Sequence, residues 1–359
     1  MAASSFYRRP LPDALIAFAG AEGRALFGEA LAKGTMESYF AQAEQFHTQQ
    51  EPAFCGLATL VVALNALAID PGRLWKGPWR WYSEELLDCC APLDRVKNEG
   101  ITFDQFACLA RCNGATVEAV RAEGSTVDAF RDAVARASST EGSVVAIGYT
   151  RRVLGQTGDG HFSTIAGFHR DRDLALVLDV ARFKYPPHWA PISLLFEAML
   201  PLDPTTARSR GWMTLRRGKH PPLAYRLSPH ASSWSEIAAA FASVATESRS
   251  LDDAMRAFLT ALPPSLENLV EAHDPETPEH DKIVCTVVEA LRATEVAAAV
   301  RRVRGHDDDA ATVLAFIAPD GTFDASLRIA KLRDALPEPL ASEIRRLREQ
   351  FGVMSCAAQ

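Results

Sequence analysis

The apolar positions along the chain fall into two kinds of pattern. From Gly56 to Ile69, GLATLVVALNALAI is apolar at helical length, and Pro52 closes the polar segment before it, so a mostly buried helix is predicted with Cys55 in its first turn. Three shorter runs are β-rich: GSVVAIGYT (142 to 150), GHFSTIAGF (160 to 168) and LALVLDVARF (174 to 183). HRDRD joins the last two and reads as a hairpin connection. With a three-residue loop centred on Asp171, His161 faces Ala181 and Asp179 lies one diagonal step away on the same face. With the centre at Arg170, His161 and Asp179 are directly opposite. A two-residue loop instead puts them on opposite faces, because strand side chains alternate.

Beyond about Gly218 the pattern changes. After the basic cluster and Pro-Pro pair of RRGKHPP come alanine-rich helical segments: SWSEIAAAFASVA, DKIVCTVVEALRATEVAAAVRRVR and LASEIRRLREQFG. The predicted organisation is therefore α+β, with one part over residues 1–218 and a mainly helical, cysteine-poor part over 222–359. No internal repeat or long low-complexity tract interrupts either part.

Composition narrows the function classes. The 359 residues are 48% apolar and 23% charged, ordinary for a globular protein with a real core. No run reaches the 18 or so apolar residues of a membrane span, and the N-terminal stretch lacks the apolar core of a secretory signal, so the cytosol is expected. A net charge of −7 argues against a general nucleic-acid binder. Seven cysteines, an odd number spread over a long chain, do not suggest a secreted disulfide framework and are expected to be mostly reduced thiols.

One of those thiols sits where chemistry is favoured. Free cysteine usually behaves as a small buried hydrophobe. At a helix start, however, unpaired backbone N–H groups lower a thiol's pKa, and the thiolate is the nucleophile. His161 could serve Cys55 as base and Asp179 could orient the imidazole, the division of labour of a catalytic triad. Gln49, six residues ahead of Cys55, could offer its amide N–H to the oxyanion, aided by the Cys55 backbone N–H. Arg182 and Lys184 in ARFKY could cradle substrate carboxylates, although an uninterrupted strand would turn them away from the Asp179 face.

Two long strings, GTMESYFAQAEQFHTQQEPAFCGLATLVVALNALAIDPGRLWKGPWRWYSEELLDCC and GHFSTIAGFHRDRDLALVLDVARFKYPPHW, resemble the phytochelatin synthases. The resemblance runs from about Ser5 to Gly218. It implies a papain-like catalytic domain that takes glycine from glutathione through a cysteine thioester and passes γ-Glu-Cys to a second glutathione or a phytochelatin. Cys55, His161 and Asp179 match the family's triad, and Gln49 matches its oxyanion residue. The resemblance further implies no organic cofactor, activation by Cd²⁺, Zn²⁺ or Cu ions as metal–glutathione thiolates, and a role in heavy-metal detoxification; it leaves a homodimer open. Cys89, Cys90, Cys108 and Cys112 match family cysteines and are metal-ligand candidates, since soft thiolates suit these ions. No finger-like spacing accompanies them, and buried thiols are the favoured reading. Cys285 and Cys356, few against the cysteine-rich C-terminal regions of plant relatives, are read as incidental. Two other functions stay open: a peptidase that only releases glycine from glutathione or its conjugates, and a non-enzymatic thiol metal-binding protein.

Overall fold

A computed structural model describes residues 8–218, 223–228, 234–243, 250–262, 269–272, 278–323 and 329–356. The expected junction at 218 to 222 lies almost wholly outside the described residues. The chain forms two compact units. The first comprises residues 1–71, 75–87 and 93–218, and the second 72–74, 88–92 and 219–359.

The first unit is built on a seven-stranded sheet. Its strands are β1 (Ile16–Ala17), β2 (Ala115–Arg121), β3 (Ser143–Thr150), β4 (Gly160–His169), β5 (Leu174–Leu178), β6 (His188–Pro191) and β7 (Gly211–Arg217), in the order β1-β6-β5-β4-β3-β7-β2 with every neighbour antiparallel. Its helices are α1 (Ala21–Ala32), α2 (Glu37–Gln45), α3 (Cys55–Ala66), α4 (Leu93–Glu99), α5 (Phe103–Cys112), α6 (Val127–Ser138) and α7 (Ile192–Met199). Both sheet faces are covered, and β5 shows how. Ala175 and Val177 join the core formed with Phe130 and Val134 of α6 and Ile192 of α7, whereas Leu174, Leu176 and Leu178 join Leu26 and Ala30 of α1. A strand buried on both sides reads as a continuous apolar run, as LALVL does.

The predicted helix after Pro52 is α3. Every residue from Gly56 to Leu64 is buried, which explains why its apolar positions show no single stripe. Gly56 is required by close approach: a Cβ there would lie 2.4 Å from Ile101 Cγ1. The third predicted strand is shorter than expected. It stops at Leu178, and residues 181 to 185 fold into a turn in which Lys184 and Tyr185 both donate backbone N–H groups to Ala181 O.

The β4–β5 hairpin differs from each simple register. At its turn His169 faces Leu174, leaving a four-residue connection; the even loop length would place His161 and Asp179 on opposite faces. A β-bulge at Ala166 then shifts the register, so that Ile165 faces Val177 and Thr164 faces Leu178. Past the bulge the parity is that of the three-residue loop, and His161 returns to the face of Asp179. The bulge leaves backbone groups outside the ladder, and buried side chains at and before α2 take them up. Gln42 Nε2 donates to Ile165 O (3.1 Å) and Ser38 Oγ to Ala166 O (3.2 Å). Phe168 donates its N–H to Thr35 O (3.0 Å), and Thr35 Oγ1 donates to Phe168 O.

In the second unit the described elements are mainly helical: α8 (Trp234–Ser243), α9 (Leu251–Ala261), α10 (Pro278–Arg292), α11 (Glu295–Arg304), α12 (Asp309–Ile317), α13 (Ile329–Asp334) and α14 (Leu340–Cys356), with a two-stranded ribbon of β8 (Tyr225–Leu227) and β9 (Val270–Ala272). The segment DKIVCTVVEALRATEVAAAVRRVR is two helices rather than one, because Thr294 caps α11 by accepting the Ala297 N–H. α14 satisfies the outer edge of β8: Glu343 and Gln350 accept the N–H groups of Tyr225 and Leu227.

Replacing Gln42 by Leu should strand the Ile165 carbonyl and cost about 1–3 kcal/mol, measured by urea unfolding. Deleting Ala166 should do more, reversing the face of His161 and returning Cys55 to the reactivity of an ordinary buried thiol. An unchanged pH profile of Cys55 alkylation in the folded deletion variant would refute the role given to the bulge.

Candidate active site

Cys55 begins α3, so its sulfur lies among the first-turn N–H groups that no helical carbonyl can accept. It is free and half-buried. It shares a hydrogen bond with His161 and accepts another from the Phe162 backbone N–H. His161, near the start of β4, is paired across the ladder with Tyr149 of β3, and the two rings meet edge to face with centroids 5.7 Å apart. His161 Nε2 lies 2.8 Å from Asp179 Oδ1. Because Asp179 is a carboxylate, Nε2 carries the proton and Nδ1 is left for the thiol.

Asp179 follows the last residue of β5 and is fully buried. Oδ1 also accepts the Ala181 N–H (2.9 Å), and the Arg151 guanidinium lies 2.8 Å from Oδ2. Arg151, just past β3 and 3% exposed, is held in turn by Gln156 Oε1 at 2.6 Å and stacks over the Tyr185 ring at 5.2 Å. The sequence reading did not single out Arg151. Its signal was faint but present: an arginine directly after a mostly apolar strand needs a buried anion, and the only acid within the apolar β5 run and its extension is Asp179.

These charges set the protonation states. Burial pushes the Cys55 thiol up, but the His161 charge, the hydrogen bonds from His161 and Phe162, and the Arg151 charge outweigh it, so the thiol titrates below its ordinary value. Burial and Arg151 push His161 down, while Asp179 and the Cys55 thiolate more than offset them and raise it. For Asp179, burial opposes ionisation, and His161 and Arg151 together hold the carboxyl well below the usual carboxylate range. A lowered thiol beside a raised imidazole favours the thiolate–imidazolium pair.

The other sequence candidates are placed differently. Gln49 is buried, but its amide nitrogen donates to Glu51 O and Pro52 O, both at 2.8 Å, and its carbonyl oxygen has no partner. Both amide N–H groups are thus committed within the turn, and neither points at an oxyanion. Arg182 lies over the Phe46 ring at 4.9 Å. Lys184, turned by the bend after β5, donates to Thr157 O at 2.7 Å. Burial and the nearby Arg151 charge lower its pKa.

Cys89 (8% exposed), Cys90 and Cys108 are buried, and Cys112 is partly so. All four are disulfide-bonded, which corrects the expectation of mostly reduced thiols: spacing along a chain does not report which sulfurs the fold pairs. Cys285 is free and exposed on α10, 3.8 Å from Asp281 Oδ1. Cys356 ends α14, and its side chain lies outside the described residues.

The pH midpoint for alkylation of Cys55 by iodoacetamide should lie below that of an ordinary thiol, measured across a pH series. In His161→Ala its midpoint should rise above the ordinary value, because burial remains and the main opposing contributions are gone. Arg151→Met should also raise the midpoint, and by stranding Asp179 it should cost about 3–5 kcal/mol of stability. The depressed Asp179 pKa contributes stability that is present above about pH 4 and is lost as pH falls towards its folded value.

The family model for phytochelatin synthase matches residues 6–212. Glutathione gamma-glutamylcysteinyltransferase 1 of Arabidopsis thaliana is 55% identical over 240 residues, 66% of this chain and 50% of the relative. Glutathione gamma-glutamylcysteinyltransferase 1 of Lotus japonicus is 46% identical over 279 residues, 76% of this chain and 56% of the relative. The glutathione gamma-glutamylcysteinyltransferase of Schizosaccharomyces pombe is 47% identical over 219 residues, 61% of this chain and 53% of the relative. The chain spans about half the length of the curated relatives it matches. With the family model covering more than half of the chain, and the candidate triad lying inside the matched stretch, the chain belongs to the phytochelatin synthase family.

Proposed function

We propose that this chain is a γ-glutamylcysteine dipeptidyl transpeptidase that acts on glutathione. The observation that carries the reading is the free Cys55 thiol at the start of α3, hydrogen-bonded to a His161 that is itself bonded to Asp179 at 2.8 Å. A helix start bearing the thiol against a sheet bearing His and Asp also supports a papain-like catalytic part within residues 1–218, with the helical part over 222–359 in a supporting role.

The chemistry follows from the protonation states. Cys55 Sγ, as thiolate, attacks the carbonyl carbon of the Cys–Gly amide. As the tetrahedral intermediate collapses the C–N bond breaks, and the glycine nitrogen leaves with the proton from His161 Nδ1. A γ-Glu-Cys thioester remains on Cys55. The free amine of a second glutathione or a phytochelatin then attacks the thioester, His161 takes its proton, and the Cys55 thiolate departs, giving (γ-Glu-Cys)n-Gly. Water in place of that amine gives hydrolysis. Asp179 holds the imidazole with Nδ1 towards sulfur and stabilises its charged form, and Arg151 keeps Asp179 ionised. The Cys55 backbone N–H is the oxyanion donor the fold supplies without rearrangement; Gln49 would add its amide after releasing the carbonyl of Glu51 or Pro52. Arg182 and Lys184 are the cations we assign to substrate carboxylates.

Cd²⁺, Zn²⁺ or Cu ions enter this reading as substrate: a metal–glutathione thiolate presents an acceptor whose sulfur is blocked and whose amine is free. Among the described residues no helix is long and apolar enough to cross a membrane. A cytosolic setting, where glutathione is abundant and reduced, completes the proposal.

Purified protein incubated with glutathione and Cd²⁺ should release glycine and form products larger by one γ-Glu-Cys at each step, identified by mass. Cys55→Ser should abolish both, since an alcohol is not ionised by the same imidazole, and turnover in that variant would overturn the assignment. His161→Ala should be inactive, whereas Asp179→Asn should keep a reduced but measurable rate. Glycine release without longer products at any acceptor concentration would reassign the protein as a peptidase.

A further inference from the structure

Glu84 is a carboxylate with no exposed surface, on the single 3₁₀ turn Glu84–Leu86. Its two oxygens face the Gln50 N–H at 3.3 and 3.2 Å, and Oε1 lies 3.4 Å from His47 Nε2. The preceding N–H, that of Gln49, donates to Val180 O at 3.1 Å, one residue beyond Asp179. Two consecutive N–H groups are therefore fixed to two different anchors, one on the strand end that carries Asp179 and the other on Glu84. Five residues on from Gln50 stands Cys55. Asn65 of α3 steadies the approach to Glu84, because its side chain donates to Tyr82 O (3.0 Å) and accepts the Tyr82 N–H (3.2 Å).

A buried carboxylate is a costly way to hold a turn. Desolvation costs several kcal/mol, and a well-packed apolar residue of similar volume is often as stabilising or more so. What the side chain supplies is geometry: both carboxyl oxygens face the Gln50 N–H, at 3.3 and 3.2 Å, and so fix the peptide plane immediately after Gln49.

We propose that Glu84 is a positioning residue for the acyl-transfer step: by gripping the Gln50 peptide it fixes the backbone that carries the Gln49 amide, so that the amide reaches the oxyanion after a side-chain rotation alone, with no movement of the backbone. The proposal rests on the reading of Cys55 as nucleophile and Gln49 as oxyanion donor, and it deepens that reading. Glu84 is not among the groups that shift the Cys55 thiol or the His161 imidazole, so it acts on the rate of acylation and leaves the thiolate equilibrium alone.

The experiment is a double-mutant cycle on glycine release from glutathione, with Cys55 alkylation measured across pH in the same proteins. Glu84→Ala should lower kcat about 10- to 100-fold, less than or equal to the loss of an oxyanion donor itself. KM should stay within about twofold. The alkylation midpoint should match wild type. Glu84→Gln, which keeps an acceptor for the Gln50 N–H, should recover most of the rate, and Glu84→Asp, which keeps the charge but falls a methylene short, should not. If Glu84→Ala does not fold, the Gln and Asp variants carry the comparison. Gln49→Ala/Glu84→Ala should be no slower than the slower single variant to within about twofold, since independent effects would multiply. Multiplicative losses, a shifted alkylation midpoint, or a full rate in both Glu84→Ala and Glu84→Asp would each overturn the proposal. Gln49→Ala separates the two layers. If that variant is slow while the Glu84 variants are not, only the role of Glu84 fails. If it turns over as fast as wild type, the oxyanion assignment beneath it fails as well.

Discussion

The Ala166 bulge decides whether His161 and Asp179 share a face of the sheet. An even-length turn and an uninterrupted ladder would send His161 and Asp179 to opposite faces of the sheet; one extra residue in β4 returns them to the same one. Backbone groups left over by a bulge are expensive when buried, so the bulge exists only because Thr35, Ser38 and Gln42 take up what the ladder drops. The core records the same shift. Ile165 and Phe168, three residues apart, belong to one cluster, while Ala166 between them belongs to the other. Packing of α2 on β4 thus does more than bury apolar surface, for it holds the register on which the His161–Asp179 contact depends.

Charge in the site is arranged as one interdependent group. Asp179 is fully buried and has two cationic partners, His161 on one side and Arg151 on the other. Arg151 lowers both the thiol and the imidazole, which by itself would favour thiolate but oppose imidazolium. The Asp179 charge offsets that second effect, and the pair survives. Removing any one member changes the others, so these residues titrate as a set. Gly56 adds a steric condition, since only a residue without a Cβ lets α3 begin against Ile101 with Cys55 at its first position.

A similar economy is visible on the other side of the thiol. The turn from Gln49 to Pro52 is tied to itself by the Gln49 amide, to the Asp179 strand end through Val180 O and to Glu84 through Gln50. Asp179, His161 and the loop before Cys55 are therefore held by buried polar groups whose partners come from distant parts of the first unit. Such networks specify geometry at a cost in stability.

The sequence by itself determined the local elements and the family to which the chain belongs. An apolar run after Pro52 can only be a buried helix, so Cys55 had to stand at its start; β3 and β4 lie within a residue of where their β-rich runs place them. It also named His161 and Asp179, with the condition on loop parity that would join them. What it could not contain was how that condition is met, because a bulge is a negotiation between β4 and side chains more than a hundred residues earlier. The early end of β5, the engagement of Gln49 within its own turn, the pairing of four cysteines and the burial of Arg151 and Glu84 were hidden for the same reason. Hydrophobic periodicity and helix-start position are properties of neighbours in the chain, whereas the partner of a buried charge, a sulfur or a stranded carbonyl is chosen by neighbours in space.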